Sequence, residues 1–316
     1  MPATTLSRNS TNVRNVINLA WRRLSLRIAS ALAPRAAVDQ AARLFMTPPR
    51  FPHTAREVEL LSTGTRYSVA SRYGEIAAWR FGNVHRPVVM LVHGWGGRGA
   101  QLRAFVPALL DAGYQVVLFD HVGHGHSAGE EATLVHFIAD LDAVARDAKS
   151  RGATLASLVG HSLGAAAVGA WLNQTRSELR AVLVAPPTSV ERYSGYFARR
   201  LGISEPVRRA MQERFEHTLG LRWSQFELPQ AVACVRAQAL VIHDAGDREV
   251  AQSSGLALAR AWRGARFVGT RGLGHRLVLR DASVVGDVVD FIADRVTFAP
   301  PPASGSSTYG APAAIL

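Results

Sequence analysis

Leu155-Ala156-Ser157-Leu158-Val159-Gly160-His161-Ser162-Leu163-Gly164-Ala165-Ala166-Ala167 decides how this chain folds. Leu155 to Val159 is an apolar run of strand length, and Gly164 to Asn173 is alanine-rich and helix-forming. Between them stands the pattern G-x-S-x-G, Gly160-His161-Ser162-Leu163-Gly164. A strand that passes into a helix through so few residues needs a turn too tight for side chains on its flanks, hence the glycines. The serine at its apex takes a strained backbone conformation that projects its hydroxyl. A helix N-terminus at that point aims free amides and a positive dipole end toward developing negative charge. The five-residue pattern is common by itself; the strand–turn–helix setting gives it meaning.

Working outward, further apolar runs of strand length occur at Val88–Val92, Val116–Phe119, Ala181–Val184, Ala239–Ile242 and Arg266–Val268. Runs apolar on both faces are what central parallel strands require. Two β-like segments precede them, Val58–Thr63 and Glu75–Phe81. Helical stretches are expected over Gln101–Ala112, Leu134–Lys149, Gly164–Asn173, Ser253–Trp262 and Ala282–Arg295. Strand and helix alternating in this way predict a doubly wound α/β architecture with a mostly parallel sheet. The alternation is suspended from Pro187 to about Val235, a polar, aromatic and helical stretch that reads as an inserted lid over the sheet's carboxyl edge.

A serine hydroxyl needs a base, and the base needs an orienting acid. Gly274-His275 follows the last predicted strand, and His275, flanked by glycine, is the expected base. After Ala239–Ile242 comes His243-Asp244-Ala245-Gly246-Asp247, which offers two carboxylates. Asp244, at the strand's immediate end, is placed to brace the loop. Asp247, beyond Gly246, is placed to reach the histidine and is the expected acid. His93-Gly94-Trp95-Gly96-Gly97 ends the strand Val88–Val92; its Trp95 amide and the amide of Leu163 are the expected oxyanion donors. His93, Gly94, Trp95 and His161 are expected around the substrate pocket, His93 in a supporting role. The loop Asp120-His121-Val122-Gly123-His124-Gly125-His126-Ser127 invites a metal reading, but with no nearby cysteine and one carboxylate its histidines read as braces.

The chain has 316 residues, 48% apolar and 19% charged, enough for one sizeable core. Its single cysteine, Cys234, excludes an intramolecular disulfide framework; the Ala/Val context predicts a buried thiol. The formal net charge is +12, almost entirely arginine, with Lys149 the one lysine. The arginines are scattered and no nucleic-acid fold signature accompanies them, so no nucleic-acid partner is expected. No apolar run approaches the roughly 18 to 20 residues that span a bilayer, and Arg22, Arg23 and Arg27 interrupt any signal-peptide core, so a cytoplasmic location is expected.

Residues 1–47 form a basic extension with no acidic residue before Asp39. Val13, Ile17, Ala20, Trp21, Leu24 and Ile28 fall on one helical stripe. Such a helix can lie peripherally on an anionic membrane; the favoured reading is a helix packed on its own domain, and a transit peptide is a third. The Pro/Gly/Ser-rich tail, 299–316, is expected to be disordered. The main globular domain is placed at 48–298, with the lid at about 187–235.

These segments together resemble the α/β-hydrolase superfamily over about residues 56–297. The resemblance rests on His93-Gly94-Trp95, the Asp120–Ser127 loop, the elbow around Ser162, Asp247 and Gly274-His275. The middle loop is similar to that of the monoacylglycerol-lipase and lysophospholipase branch, whose members hydrolyse carboxylic esters. The resemblance implies an α/β-hydrolase fold and two-step acyl transfer from a small acyl ester, with no metal or organic cofactor. It leaves open thioesterase, acyltransferase and small-peptide hydrolase, and a non-catalytic binding protein on the same scaffold. The aromatic lid points to medium apolar acyl groups.

Overall fold

In the computed structural model, which describes residue 21 and residues 23–294, eight strands form one sheet. They are β1 (Thr65–Ser71), β2 (Gly74–Phe81), β3 (Val88–Val92), β4 (Gln115–Phe119), β5 (Leu155–His161), β6 (Arg180–Val184), β7 (Ala239–Asp244) and β8 (Ala265–Thr270). Their order is β1-β2-β4-β3-β5-β6-β7-β8; β2 runs antiparallel to its neighbours and the pairs from β4 to β8 are parallel. The helices are α1 (residues 23–32), α2 (Pro34–Met46), α3 (Ala55–Thr63), α4 (Phe105–Asp111), α5 (Leu134–Ser150), α6 (Leu163–Thr175), α7 (Val190–Leu201), α8 (Glu205–Leu219), α9 (Leu228–Val232), α10 (Gln252–Ala261), α11 (Gly274–Leu277) and α12 (Ala282–Ile292).

The double winding follows from alternation within the buried strands. Val88, Met90 and Val92 of β3 enter one core with Phe137 and Leu141 of α5, Val168 and Leu172 of α6 and Leu258 of α10. Val89 and Leu91 enter a second core on the other face, with Phe105 and Leu109 of α4 and Val288 and Ile292 of α12. A sheet covered by helices on both faces has every β3 side chain buried, which is why the sequence shows an unbroken apolar run there.

Three local expectations are corrected. Val58–Thr63 is not a strand but most of helix α3, because the Glu57 carboxylate accepts hydrogen bonds from the N–H (2.7 Å) and hydroxyl (2.9 Å) of Thr54 and fixes a helix start. Cys234 is exposed rather than buried, since it lies in the short link between α9 and β7, outside both cores. The stretch expected as one helix over Gln101–Ala112 divides into a 3₁₀ turn, Gly99–Leu102, and α4.

Between β6 and β7 the described chain is helical, with α7, α8, a 3₁₀ turn at Trp223–Phe226, and α9. A third core joins this insertion to the N-terminal segment: Leu26, Ala37, Ala41 and Ala42 pack with Leu201, Val207, Met211, Phe215 and Trp223. Of the expected stripe, Val13, Ile17 and Ala20 lie outside the described residues, as does the 299–316 tail. Trp21, Leu24 and Ile28 are exposed; α1 packs through Leu26 instead. No helix among the described residues is long and apolar enough to cross a membrane.

Candidate active site

Ser162 sits between β5 and α6 with φ +52° and ψ −124°, a conformation disfavoured for a residue with a Cβ and costing on the order of 1–3 kcal/mol. Its N–H is tied to the Val184 carbonyl at 2.9 Å, which anchors the bend to β6. The flanking glycines are required by close approach: a Cβ on Gly160 would lie 2.6 Å from the Ala165 Cα, and one on Gly164 would lie 2.3 Å from the His93 carbonyl oxygen. Gly94, after β3, lies so near that its own Cβ would meet the Ser162 Cβ at 2.7 Å. As the first residue of α6, Leu163 has an amide with no intrahelical acceptor.

The loops after β7 and β8 bring an acid and a histidine together. His275 Nδ1 is 2.7 Å from Asp247 Oδ2. The other carboxylate oxygen of Asp247 accepts the N–H groups of Glu249 (2.8 Å) and Val250 (2.9 Å). Burial of this carboxyl would raise its pKa, but hydrogen bonds from His243, His275 and the Val250 amide outweigh it and hold it well below the usual carboxylate range. Asp244 is used differently. It accepts the Gly246 N–H (2.8 Å), the Thr270 hydroxyl (2.8 Å) and the Leu273 N–H (3.1 Å), and so clips the two loops to each other. His161, next to Ser162, donates from Nε2 to the His275 carbonyl at 2.9 Å, with ring centroids 4.7 Å apart.

Ser162, His275, Trp95, Leu163, Gly94 and His161 line one cavity of about 790 Å³. Its far wall comes from the insertion and, unexpectedly, from the N-terminal segment. Phe45 of α2 stands among Tyr193 (ring centroids 5.9 Å), Phe197 (5.1 Å), Phe215 (5.7 Å) and Trp223 (5.8 Å), all lining the same space. Glu249 is the one carboxylate among the lining side chains, and Arg276 pairs with it at 3.1 Å.

A family model described as serine aminopeptidase, S33, matches residues 83–267, more than half of the chain. The chain belongs to this α/β-hydrolase family. The family fold recurs in solved structures of low identity. An esterase of Pyrococcus furiosus superposes with a TM-score of 0.61 at 18% identity, over 79% of this chain and 97% of that one. A Rhodococcus esterase gives 0.54 at 20% identity (73% and 98%). The thioesterase domain of the curacin biosynthetic pathway gives 0.53 at 18% (72% and 98%). An uncharacterized 31.7 kDa Escherichia coli protein from the traX-finO intergenic region is 40% identical over 55 residues, 17% of this chain and 19% of its own length.

Within this S33 fold, the histidines behind the site act as braces. His93 lies beneath the cavity wall rather than in it, 1% exposed: its Nε2 accepts the His121 N–H (2.9 Å), so Nδ1–H donates to the Gly94 carbonyl (2.8 Å). His124 likewise accepts the Gly96 N–H at Nε2 (3.0 Å) and donates from Nδ1 to the Val122 carbonyl (2.9 Å). Together they fix the Gly94–Gly97 turn. His121 faces Asp140, whose carboxylate also accepts the Val122 N–H and the Ser71 hydroxyl. Asp120 accepts the Gly99 and His126 amides; burial opposes its ionisation, but hydrogen bonds, the His126 side chain's first, bring it down to about 2.

Arg50 was not legible as a site-supporting residue. Its guanidinium reaches the carbonyls of Gly123, Gly125, Ser127 and Gly129, and so holds the whole loop from outside. His121, His124 and His126 diverge instead of converging on one point. Among the described residues, the group whose ligand atoms could converge on a cation is His53, Asp120 and His126, within 4.8 Å of one another. None of these three lines the cavity.

The buried histidines predict an acid-sensitive fold. Burial above all, then neighbouring histidines, brings His93, His124 and His161 each to about 3. An unfolded histidine titrates near 6.5, so below that pH the unfolded chain takes protons that the folded chain refuses. The stability these residues allow is complete above about pH 6.5 and is lost on the way down to about pH 3. Three such groups give a slope of up to about 4 kcal/mol per pH unit inside that window. The melting temperature is expected to hold from pH 8 to 7 and fall steeply from 6 to 5. A flat profile from pH 8 to 5 would contradict neutral buried histidines.

Proposed function

We propose that this chain is a serine hydrolase that cleaves carboxylic esters through an acyl-enzyme. The observation that carries this reading is the 2.7 Å bond from His275 Nδ1 to the buried Asp247 Oδ2, with His275 lining the same cavity as the strained Ser162 elbow. With Nδ1–H donated to an ionised carboxylate, Nε2 of His275 is left as a base. Ser162 Oγ attacks the ester carbonyl as His275 Nε2 takes its proton. The backbone N–H groups of Trp95 and Leu163 hold the oxyanion. His275 then protonates the departing alcohol, leaving acyl-Ser162. A water attacks that ester with His275 again as base, and the acid leaves.

The cavity wall favours an apolar acyl group. Leu44, Phe45, Tyr193, Phe197, Phe215 and Trp223 border it. The family description names aminopeptidases, and an amine-terminal substrate calls for a carboxylate that can receive an ammonium. Glu249 is already paired with Arg276, which favours the ester reading. We therefore expect the insertion to serve as a lid that selects acyl chains.

A substrate screen tests this. p-Nitrophenyl and glyceryl esters from acetyl to dodecanoyl would be compared with acyl thioesters and amino-acid p-nitroanilides. Ester turnover is expected, with kcat/KM rising about tenfold or more from acetyl to octanoyl, because each buried methylene contributes about 0.8 kcal/mol. Faster cleavage of the anilides, or no ester turnover, would overturn the assignment.

A further inference from the structure

Helix α1 has two unlike faces. Leu26 is wholly buried and Ala29 partly so, in the core shared by α2, α7 and α8. On the side turned away from that core, Trp21 is 66% exposed, Leu24 49%, Ile28 50% and Leu32 81%. At 100° per residue these four fall within an arc of about 80°, and Leu26 lies on the far side of the helix. They form an apolar strip roughly 16 Å long. An isolated exposed leucine is ordinary, but four large apolar side chains in register, one of them tryptophan, are not.

The charges around the strip are all of one sign. Arg27 and, farther round the helix, Arg23 stand along one edge of it and are exposed, as are Arg35 and, on the adjoining end of α7, Arg199 and Arg200. α1 meets α7 there: the Arg23 guanidinium donates to the Arg199 carbonyl at 3.5 Å, and the Arg27 side chain lies against Gly202. No acidic residue precedes Asp39 in the chain, and Asp39 is engaged in an ion pair with Arg214.

We propose that this outer face of α1 docks on an anionic lipid surface, with Trp21, Leu24, Ile28 and Leu32 entering the acyl boundary and the arginines facing the headgroups. An apolar strip whose charged neighbours on the helix, Arg23 and Arg27, are both cationic matches a medium that is apolar below and anionic at its rim. A second copy of the chain is the poorer fit, because pairing two such faces brings Arg23 and Arg27 against their own likes. The docked face has a direct structural route to the cavity. α7, on which α1 rests, lines it through Tyr193, Phe197 and Arg200, and α2, next in the chain, lines it through Phe45. Through α7 and α2 the docked helix is thus in contact with elements that line the cavity. This inference stands without the ester assignment.

The test is co-sedimentation of the full chain with sucrose-loaded vesicles of phosphatidylcholine alone and with one third phosphatidylglycerol. Binding to the anionic vesicles is expected to exceed binding to the neutral ones by at least tenfold. The quadruple variant Trp21→Ser, Leu24→Ser, Ile28→Ser, Leu32→Ser should lose at least tenfold of it, and so should Arg23→Glu with Arg27→Glu. The quadruple variant should keep the wild-type melting temperature, since none of its four side chains belongs to a core. Wild-type binding retained in the quadruple variant would place lipid contact elsewhere on this basic chain and overturn the proposal. Absence of vesicle binding would overturn it too, as would a wild-type dimer by light scattering that the quadruple variant dissociates without any vesicle binding.

Discussion

Replacement of Ser162 by alanine is expected to abolish labelling by a fluorophosphonate probe and to lower ester turnover on the order of 10⁶-fold, the scale on which serine hydrolases lose kcat without their nucleophile. The substitution isolates the oxygen. Alanine keeps the Cβ, so the φ of +52° remains as strained as before, and the amides of Trp95 and Leu163 are untouched. The melting temperature should therefore stay close to wild type. Ser162→Gly supplies the complementary measurement, because glycine adopts positive φ without steric cost. It should be equally inert to the probe yet melt higher than Ser162→Ala. Labelling that survives in Ser162→Ala would remove the nucleophile assignment, and with it the acyl-enzyme.

What was legible in the sequence was whatever is local or doubly buried. β3 and β4 are buried on both faces, so their apolar runs, of five and four residues, mark them nearly to the residue. β1 escaped notice because only Val69 of its seven residues is buried; an edge strand of this kind writes no pattern. α3 does carry a local signal: Thr54 and Glu57 stand at capping-box spacing, and in the fold this outweighs the strand-like run of Val58, Leu60 and Leu61.

The site divides in the same way. The Ser162 elbow is contained in five consecutive residues, and both of its glycines answer to contacts from backbone close by. His275 stands where chain order and a place after a strand put it, 2.7 Å from Asp247. By contrast, Arg50 and Phe45 act on partners about 75 and 150 to 180 residues away. Arg50 holds a loop of carbonyls, and Phe45 fills a ring of aromatics in the insertion. Neither belongs to a motif, because the partners of one are backbone atoms and those of the other are generic apolar rings. The wall of the cavity becomes visible only when α2 is seen packed on α8.

Asp247→Asn is expected to cut kcat by about 10⁴-fold, the scale seen when a triad acid becomes its amide. Asp244→Asn should leave it within about tenfold. The reason is the direction of the hydrogen bonds. One oxygen of residue 247 faces the backbone amides of Glu249 and Val250, which can only donate, whereas the other faces His275 and His243, whose rings can change tautomer, so in the variant the carbonyl oxygen stays on the amide side. The NH₂ group then faces His275 Nδ1 and can only donate to it. Nδ1 becomes the acceptor, the ring proton moves to Nε2, and the nitrogen that should receive the Ser162 proton is already occupied. The variant should fold and melt near wild type while failing as a catalyst. Asp244 faces donors at both of its oxygens, from Gly246, Thr270 and Leu273. Its amide therefore points an N–H at another N–H or hydroxyl, and the loss should fall on stability, at about 1–3 kcal/mol, instead of on the chemical step. Measuring kcat and melting temperature for both variants separates the two acids. If Asp244→Asn loses the activity and Asp247→Asn only the stability, the orienting acid is Asp244, and the 2.7 Å contact at His275 is a structural one.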